Sequence, residues 1–259
     1  MNTLIHSNER NCSMTTYFLG TQSPLPVVVI CPGGAYTWRS EREAAPVANA
    51  FNRNGYHAVV LNYTVEQEEE LLDTPLLDLC WAVKSLRKNA AINFIDPDKI
   101  IVCGFSAGGH LAASLGVFWS DFTRFPTKEE QQLHKPNALI LCYPVITAGA
   151  YAHRGSFLRL SKDEATQKEY SLETKVQSTV PPTFIWHTMT DASVPVYNSI
   201  LFAEALHQNK VSCELLIFPN GPHGLSLATK DVEDESHQRI ADPHVARWFA
   251  QCLDWLSTL

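Results

Sequence analysis

The sequence predicts an α/β fold with a mostly parallel central sheet and helices on both faces. Three observations predict it. Strand-like and helix-like segments alternate along most of the 259 residues, as in a parallel sheet linked by crossover helices. The strand-like segments are continuous apolar runs, the pattern of strands covered on both faces. No internal repeat and no linker rich in Gly, Pro and Ser divides the chain, so residues 1–259 read as one domain.

The elements follow in order. Val27-Val28-Val29-Ile30 is a β-branched run closed by Pro32-Gly33-Gly34. Ala44 to Asn54 reads as a helix with Gly55 as its C-cap. Tyr56 to Tyr63 reads as a strand. In Pro75 to Asn89 the residues Leu76, Leu79, Cys80, Val83 and Leu86 recur at helical spacing, with Asp78 early and Arg87-Lys88 late to suit the helix dipole. Asp96-Pro97-Asp98 reads as a turn before the strand Lys99 to Gly104. Ala107 to Phe118 is an apolar helix, and Ala138 to Tyr143 a buried strand. Thr183 to His187, Pro195 to Gln208, Cys213 to Phe218 and Pro243 to Leu256 continue as strand, helix, strand, helix. Residues 146–180 break this rhythm and contain no clear strand. They are expected to form a short, lid-like insertion over the ligand-binding edge of the sheet.

Composition removes several functional classes. The formal net charge is -7, and no cluster of Lys and Arg is available to displace counterions from a nucleic acid. No segment approaches the ~20 apolar residues needed to span a membrane. The N-terminus lacks the apolar stretch of a secretory signal. The seven cysteines include no Cys-x-x-Cys pair, and Cys31, Cys80, Cys103 and Cys142 lie in apolar surroundings. Free thiols in a reducing cytoplasm are expected, with no structural metal site.

The chemistry centres on Gly104-Phe105-Ser106-Ala107-Gly108, which follows a predicted strand and opens a predicted helix. That is the context of a nucleophile elbow, where small neighbours tolerate a tight turn that lifts a hydroxyl above the strand ends. Three fixed residues of this kind match by chance at roughly 3 in 10,000 positions, or about one chance in ten over a chain of this length. The pentad therefore needs partners. A serine hydroxyl is a poor nucleophile without a base. The expected chain order is Ser, then a carboxylate, then His. Asp191 and His223 fit, each just beyond the C-terminal end of a predicted strand, the edge where open α/β sheets bind ligands. His187 precedes Asp191 and breaks that order, so a structural or pocket-lining role is expected. His207, His237 and His244 fall on or near predicted helices and read as surface residues. Backbone N–H groups for a developing oxyanion are expected from Ala107 and from the loop Cys31-Pro32-Gly33-Gly34-Ala35-Tyr36.

Five stretches carry a family resemblance: residues 31–36, Arg42-Glu43-Ala44-Ala45-Pro46, Gly104 to Leu111, Trp186 to Asp191, and Pro219-Asn220-Gly221-Pro222-His223-Gly224. They resemble the bacterial α/β-hydrolase esterases, in particular the acetyl xylan esterase and feruloyl esterase-like, xylanase-related group. The resemblance implies the α/β-hydrolase fold and a triad of Ser106, Asp191 and His223. It implies oxyanion donors among Gly34, Ala35 and Ala107, and no cofactor. Many relatives carry a His-Gly-Gly-Gly loop. Here Pro32 stands for that His and Ala35 for its last Gly, which leaves open whether Gly34 or Ala35 donates. The resemblance implies short acyl esters, acetyl groups on sugars among them. Tyr36, Trp38, Arg39, Tyr143 and His153 are candidates to line the substrate pocket, or equally to be packing residues. The natural substrate and any homo-oligomeric state stay open.

Two rivals remain. A serine aminopeptidase of the prolyl oligopeptidase type also fits Asp191-Ala192-Ser193-Val194-Pro195, but only about 25 residues precede the first clear strand here. A non-catalytic binding protein on the same scaffold would be expected to have lost a triad member, and all three are present.

Overall fold

The computed structural model describes residues 2–66 and 68–259. Eight strands form one sheet: β1 (Thr3–His6), β2 (Ser13–Tyr17), β3 (Leu25–Cys31), β4 (His57–Asn62), β5 (Ile95–Phe105), β6 (Ala138–Cys142), β7 (Thr183–Thr188) and β8 (Cys213–Phe218). Their spatial order is β1-β2-β4-β3-β5-β6-β7-β8. β1 pairs with β2, and β2 with β4, in antiparallel fashion, while every pair from β4 to β8 is parallel.

The apolar runs are strands because both of their faces are covered. Val27 and Val29 face one core, with Val102, Leu139 and Leu141. Val28 and Ile30 face the other, with Ile101, Cys103 and Ile140. Helices α2 (Thr74–Lys88), α4 (Ala107–Phe118) and α8 (Tyr197–Gln208) supply the first core through Leu79, Val83, Leu111, Leu115 and Phe202. Helices α1 (Ala45–Asn52) and α9 (Arg247–Leu256) supply the second through Phe51, Trp248 and Trp255. Every residue of α4 is buried. Gly108 lets α4 approach β3, since a Cβ there would lie 2.0 Å from the Cys31 carbonyl oxygen.

Three features depart from expectation. The hairpin β1–β2 lies ahead of the run at Val27; all four β1 residues are exposed, so no burial imprints a pattern on them. Asp96-Pro97-Asp98 does turn, with the Asp98 N–H donating to Asp96 Oδ1 at 3.0 Å. The turn sits inside β5 as a bulge: Leu25 pairs with Ile95, and Val27 with Ile100. Between α4 and β6 lies an unexpected helix, α5 (Lys128–His134), after the short α3 (Ala90–Asn93); Thr127 caps α5 by accepting the Glu130 N–H. Within residues 146–180 lie α6 (Arg154–Leu160), α7 (Glu164–Glu169) and one turn of 3-10 helix, with no strand. Among the described residues, no helix is long and apolar enough to cross a membrane.

Candidate active site

Ser106 stands between β5 and α4 with φ 53° and ψ -117°. A non-glycine residue held there costs about 1–3 kcal/mol and persists only where its surroundings over-determine it. They do so here. The Ser106 N–H donates to the Cys142 carbonyl at 3.0 Å, and the Ser106 carbonyl accepts from the N–H groups of His110 and Val145. The strain is absorbed by the pairing of β5 with β6 and by the first turn of α4.

The loops after β7 and β8 bring the partners. His223 Nε2 lies 2.8 Å from Ser106 Oγ, and His223 Nδ1 lies 2.6 Å from Asp191 Oδ2. The carboxylate must accept from Nδ1, so Nδ1 carries the proton and the Nε2 lone pair faces the serine hydroxyl. The Oδ1 atom of Asp191 accepts the N–H groups of Ser193 and Val194, each at 2.9 Å. Burial by itself would raise the pKa of Asp191. Hydrogen bonds from His187 and His223, the charge of His223 and the Val194 N–H outweigh it, and hold this carboxyl well below the usual range. Asp191 is therefore an anion at neutral pH.

His187 is fully buried and touches this carboxylate. Its Nε2 lies 2.9 Å from the Val194 carbonyl and 3.2 Å from Asp191 Oδ2, and its Nδ1 lies 2.7 Å from Ser199 Oγ. Two acceptors at Nε2 require the proton there. Of the structural and pocket-lining roles expected, its burial away from the cleft lining fits the first, and it is a second donor to Asp191.

The loop after β3 turns sharply. Gly34, Ala35 and Tyr36 have φ of 132°, 55° and 61° in succession. At Gly34 a Cβ would lie 2.1 Å from the Trp38 carbonyl oxygen, so only glycine fits. The Gly34 carbonyl accepts from the N–H groups of Thr37 and Trp38. Gly33 donates its N–H to Glu43 Oε2 at 2.8 Å. Among the described residues, no internal acceptor meets the N–H of Gly34 or of Ala35. Ala107, in the first turn of α4, has a helix N-terminal N–H of the kind that lacks an i−4 partner.

A cleft of about 150 Å³ unites these parts. Ser106, His223, Gly34 and Ala35 line it together with Trp38, His153, Arg239 and Glu43. Trp38 is 53% exposed and offers a free ring face. His153 Nδ1 accepts the Ser156 N–H at 3.3 Å at the start of α6, which leaves Nε2 as the protonated nitrogen. Burial, then the charge of His223, lower its basicity below the ordinary histidine value, with Asp191 opposing, so it is a neutral donor near neutral pH.

Three candidate pocket residues lie elsewhere. Tyr36 is buried, because the positive φ of its own turn swings the ring inward, and its hydroxyl meets His110 Nδ1 at 2.8 Å. Tyr143 is buried, donating its hydroxyl to Glu43 Oε1 at 2.6 Å. Arg39 points to the other side of its loop, where Nη1 donates to the Tyr63 carbonyl at 2.7 Å. Trp38 and His153 are the two that line the cleft.

Several contributors carried no chemical signal in the sequence. Arg42 donates to the carbonyls of Gly224 and Val232 and so anchors the loop that bears His223. Arg239 donates to the His223 carbonyl at 3.0 Å. Arg42 and Glu43 stood within one of the stretches of family likeness, the one available hint. Among the described residues, no group of three His, Cys, Asp or Glu side chains is placed to hold a metal ion.

The sheet order, the crossovers and the strand-to-helix turn at Ser106 define an α/β-hydrolase. The family model described as BD-FAE matches residues 19–206. The chain belongs to that family, and with it to the esterases of the α/β-hydrolase fold. It is 38% identical over 209 residues to endo-1,4-beta-xylanase B of Butyrivibrio fibrisolvens, covering 79% of this chain and 33% of that protein. It is 28% identical over 236 residues to the acetylxylan esterase of Xylanibacter ruminicola, covering 88% of this chain and 46% of the relative. The chain thus spans less than half the length of either. Among solved structures, an acetyl ester-xyloside bifunctional hydrolase from Caldicellulosiruptor lactoaceticus aligns with TM-score 0.86 and 35% identity over 99% of this chain and 96% of its own. A carboxylesterase from Lactobacillus plantarum aligns with TM-score 0.87 and 29% identity over 100% and 96%.

Proposed function

We propose that this chain hydrolyses short acyl esters, acetyl esters of sugar-like alcohols foremost, through an acyl-enzyme on Ser106. The observation that carries the reading is the unbroken line from Ser106 Oγ through the His223 ring to Asp191, at 2.8 and 2.6 Å. In the first step His223 Nε2 takes the proton as Ser106 Oγ attacks the ester carbonyl. Asp191 keeps the ring in its productive tautomer and stabilises the imidazolium. The N–H groups of Gly34 or Ala35 and of Ala107 face the oxyanion. The alcohol leaves with the proton from His223, and water repeats the sequence on the acyl-enzyme. The small cleft supports a short acyl chain. Trp38 and His153 support an alcohol with a ring face and hydroxyl groups. The xylan-directed names of the relatives point the same way. Seven free thiols, six of them buried, support a reducing compartment such as the cytoplasm.

The test is a series of p-nitrophenyl esters, followed by acetylated xylo-oligosaccharides and aminoacyl anilides. Acetate is expected to exceed octanoate in kcat/KM by at least about 100-fold, which is the discrimination two or more misfitting methylenes supply. A fluorophosphonate is expected to label Ser106 alone. Higher efficiency on anilides than on esters, or an unlabelled Ser106 in folded protein, sinks the reading.

A further inference from the structure

Glu43 lines the cleft, yet the triad chemistry makes no use of it. It is 3% exposed, and among the described residues no cation pairs with it. Taking a carboxylate out of water without a counter-charge is costly unless its lone pairs are occupied by donors. Both oxygens are so occupied, and by two different parts of the site. Oε2 accepts the Gly33 N–H at 2.8 Å, at the root of the loop that carries Gly34 and Ala35. Oε1 accepts the Tyr143 hydroxyl at 2.6 Å. The Tyr143 oxygen in turn accepts the Ser226 N–H at 2.9 Å, three residues beyond His223. The Tyr143 ring stands edge-on to the His223 ring, with centroids 5.1 Å apart at 74°. Ser226 Oγ closes the circuit by donating to the Arg42 carbonyl at 2.7 Å.

We propose that Glu43 is a positioning residue that locks the oxyanion loop and the His223 loop into one geometry. By taking the Gly33 N–H, Glu43 fixes the peptide plane that precedes Gly34. The next N–H groups in the chain are then left to the cleft, which assigns the hole to Gly34 or Ala35 and removes Gly33 from it. By accepting the Tyr143 hydroxyl, the same carboxylate holds the aromatic wall against which His223 rests. A substrate oxyanion and the base therefore keep their separation through one shared side chain. Space for any alternative is small: a Cβ on Gly33 would lie 2.8 Å from Glu43 Oε2, 2.9 Å from the Phe105 carbonyl oxygen and 3.0 Å from Ser106 Cβ. This inference rests on the serine esterase reading above.

The test uses Glu43→Gln, Tyr143→Phe and the double variant, with turnover expressed per Ser106 site titrated by a fluorophosphonate. In Glu43→Gln the amide keeps an oxygen for Gly33, but its NH2 faces a Tyr143 hydroxyl that has lost its acceptor. Tyr143→Phe removes the same link from the other side. Each is expected to lower kcat on p-nitrophenyl acetate by about 10-fold with KM within about twofold, since small misplacements of reacting groups act on the transition state. A boronate or trifluoromethyl ketone that forms a tetrahedral adduct on Ser106 is expected to lose affinity in parallel. The double variant is expected to match either single one, because both cut one link. A residue that merely held the fold would lower the titrated fraction and the melting temperature, and leave kcat per site alone. Unchanged kcat per site in both single variants, or losses that multiply in the double, overturns the inference while the esterase stands. Absence of Ser106-dependent turnover in the unaltered protein overturns the esterase reading, and the inference with it.

Discussion

The two walls of the cleft are built by different means. On one side Ser106, Asp191 and His223 are held by buried hydrogen bonds. Asp191 accepts from two backbone N–H groups and two histidines, and Ser106 is fixed by three backbone contacts. On the other side Trp38 is half exposed, and among the described residues the His153 side chain hydrogen-bonds only to the first turn of the short helix α6. On the proposed chemistry the first wall tolerates no displacement, since reacting atoms must meet within tenths of an ångström. The second can change its side chains without disturbing a core. On the proposed function, reaction and substrate choice are encoded in separable parts of the molecule.

The largest test of this contrast is Ser106→Ala or His223→Ala. Each is expected to lower ester turnover by about 10⁴- to 10⁶-fold with little change in melting temperature. A loss of less than 100-fold, read in single-turnover assays, would show that the rigid wall is not the chemical one. His187→Asn removes one of four donors to Asp191 and should cost about 10-fold in kcat. If it matched His223→Ala, the base would have been misassigned. Smaller still are the effects on the open wall. Trp38→Ala and His153→Asn should each raise KM for an acetylated xylo-oligosaccharide by about 3- to 10-fold, as expected of a lost stacking or hydrogen-bond contact. The same variants should leave p-nitrophenyl acetate within about twofold. Equal losses on both substrates would join the two walls again.

A final prediction concerns stability beneath the rigid wall. His110 is fully buried between the Tyr36 hydroxyl and the Tyr170 carbonyl, and burial lowers its pKa to about 4, with the Tyr170 bond opposing. The folded value lies below the ordinary 6.5, so the unfolded chain binds the extra proton first as pH falls. The stabilisation is whole above about pH 6.5, and is lost progressively between there and about pH 4, by on the order of 3 kcal/mol. Urea unfolding of the protein and of His110→Gln at pH 7 and pH 4.5 measures it. The variant should show a shallower fall, and parallel curves would refute the assignment.

Much of this fold was legible because the parallel strands carry no polar alternation. Val27–Ile30 and Leu139–Leu141 can only be buried. The proposed triad was legible because each member follows a strand, so chain order and strand ends together constrain it. Strand β1 was not, since Thr3–His6 is exposed on every residue and burial imposes no pattern. Beyond its place in a stretch of family likeness, Glu43 gave no chemical signal, for another reason. Its partner Tyr143 is 100 residues away, and an acid ahead of Ala44-Ala45-Pro46 looks locally like the solvated start of a helix. Tyr36 and Arg39 are candidates to line the pocket by residue type, yet neither lines it. The left-handed turn at Gly34 sends neighbouring side chains to different sides of the loop, so residue type carried no directional information.

The backbone at Ser106 has a consequence for what a serine costs this chain. Its φ of 53° suits glycine, and its side chain makes no capping bond to α4. Ser106→Gly should therefore give a protein that is inert and sturdier at once. On the proposed chemistry, the serine hydroxyl is kept at the expense of a backbone that glycine would relax.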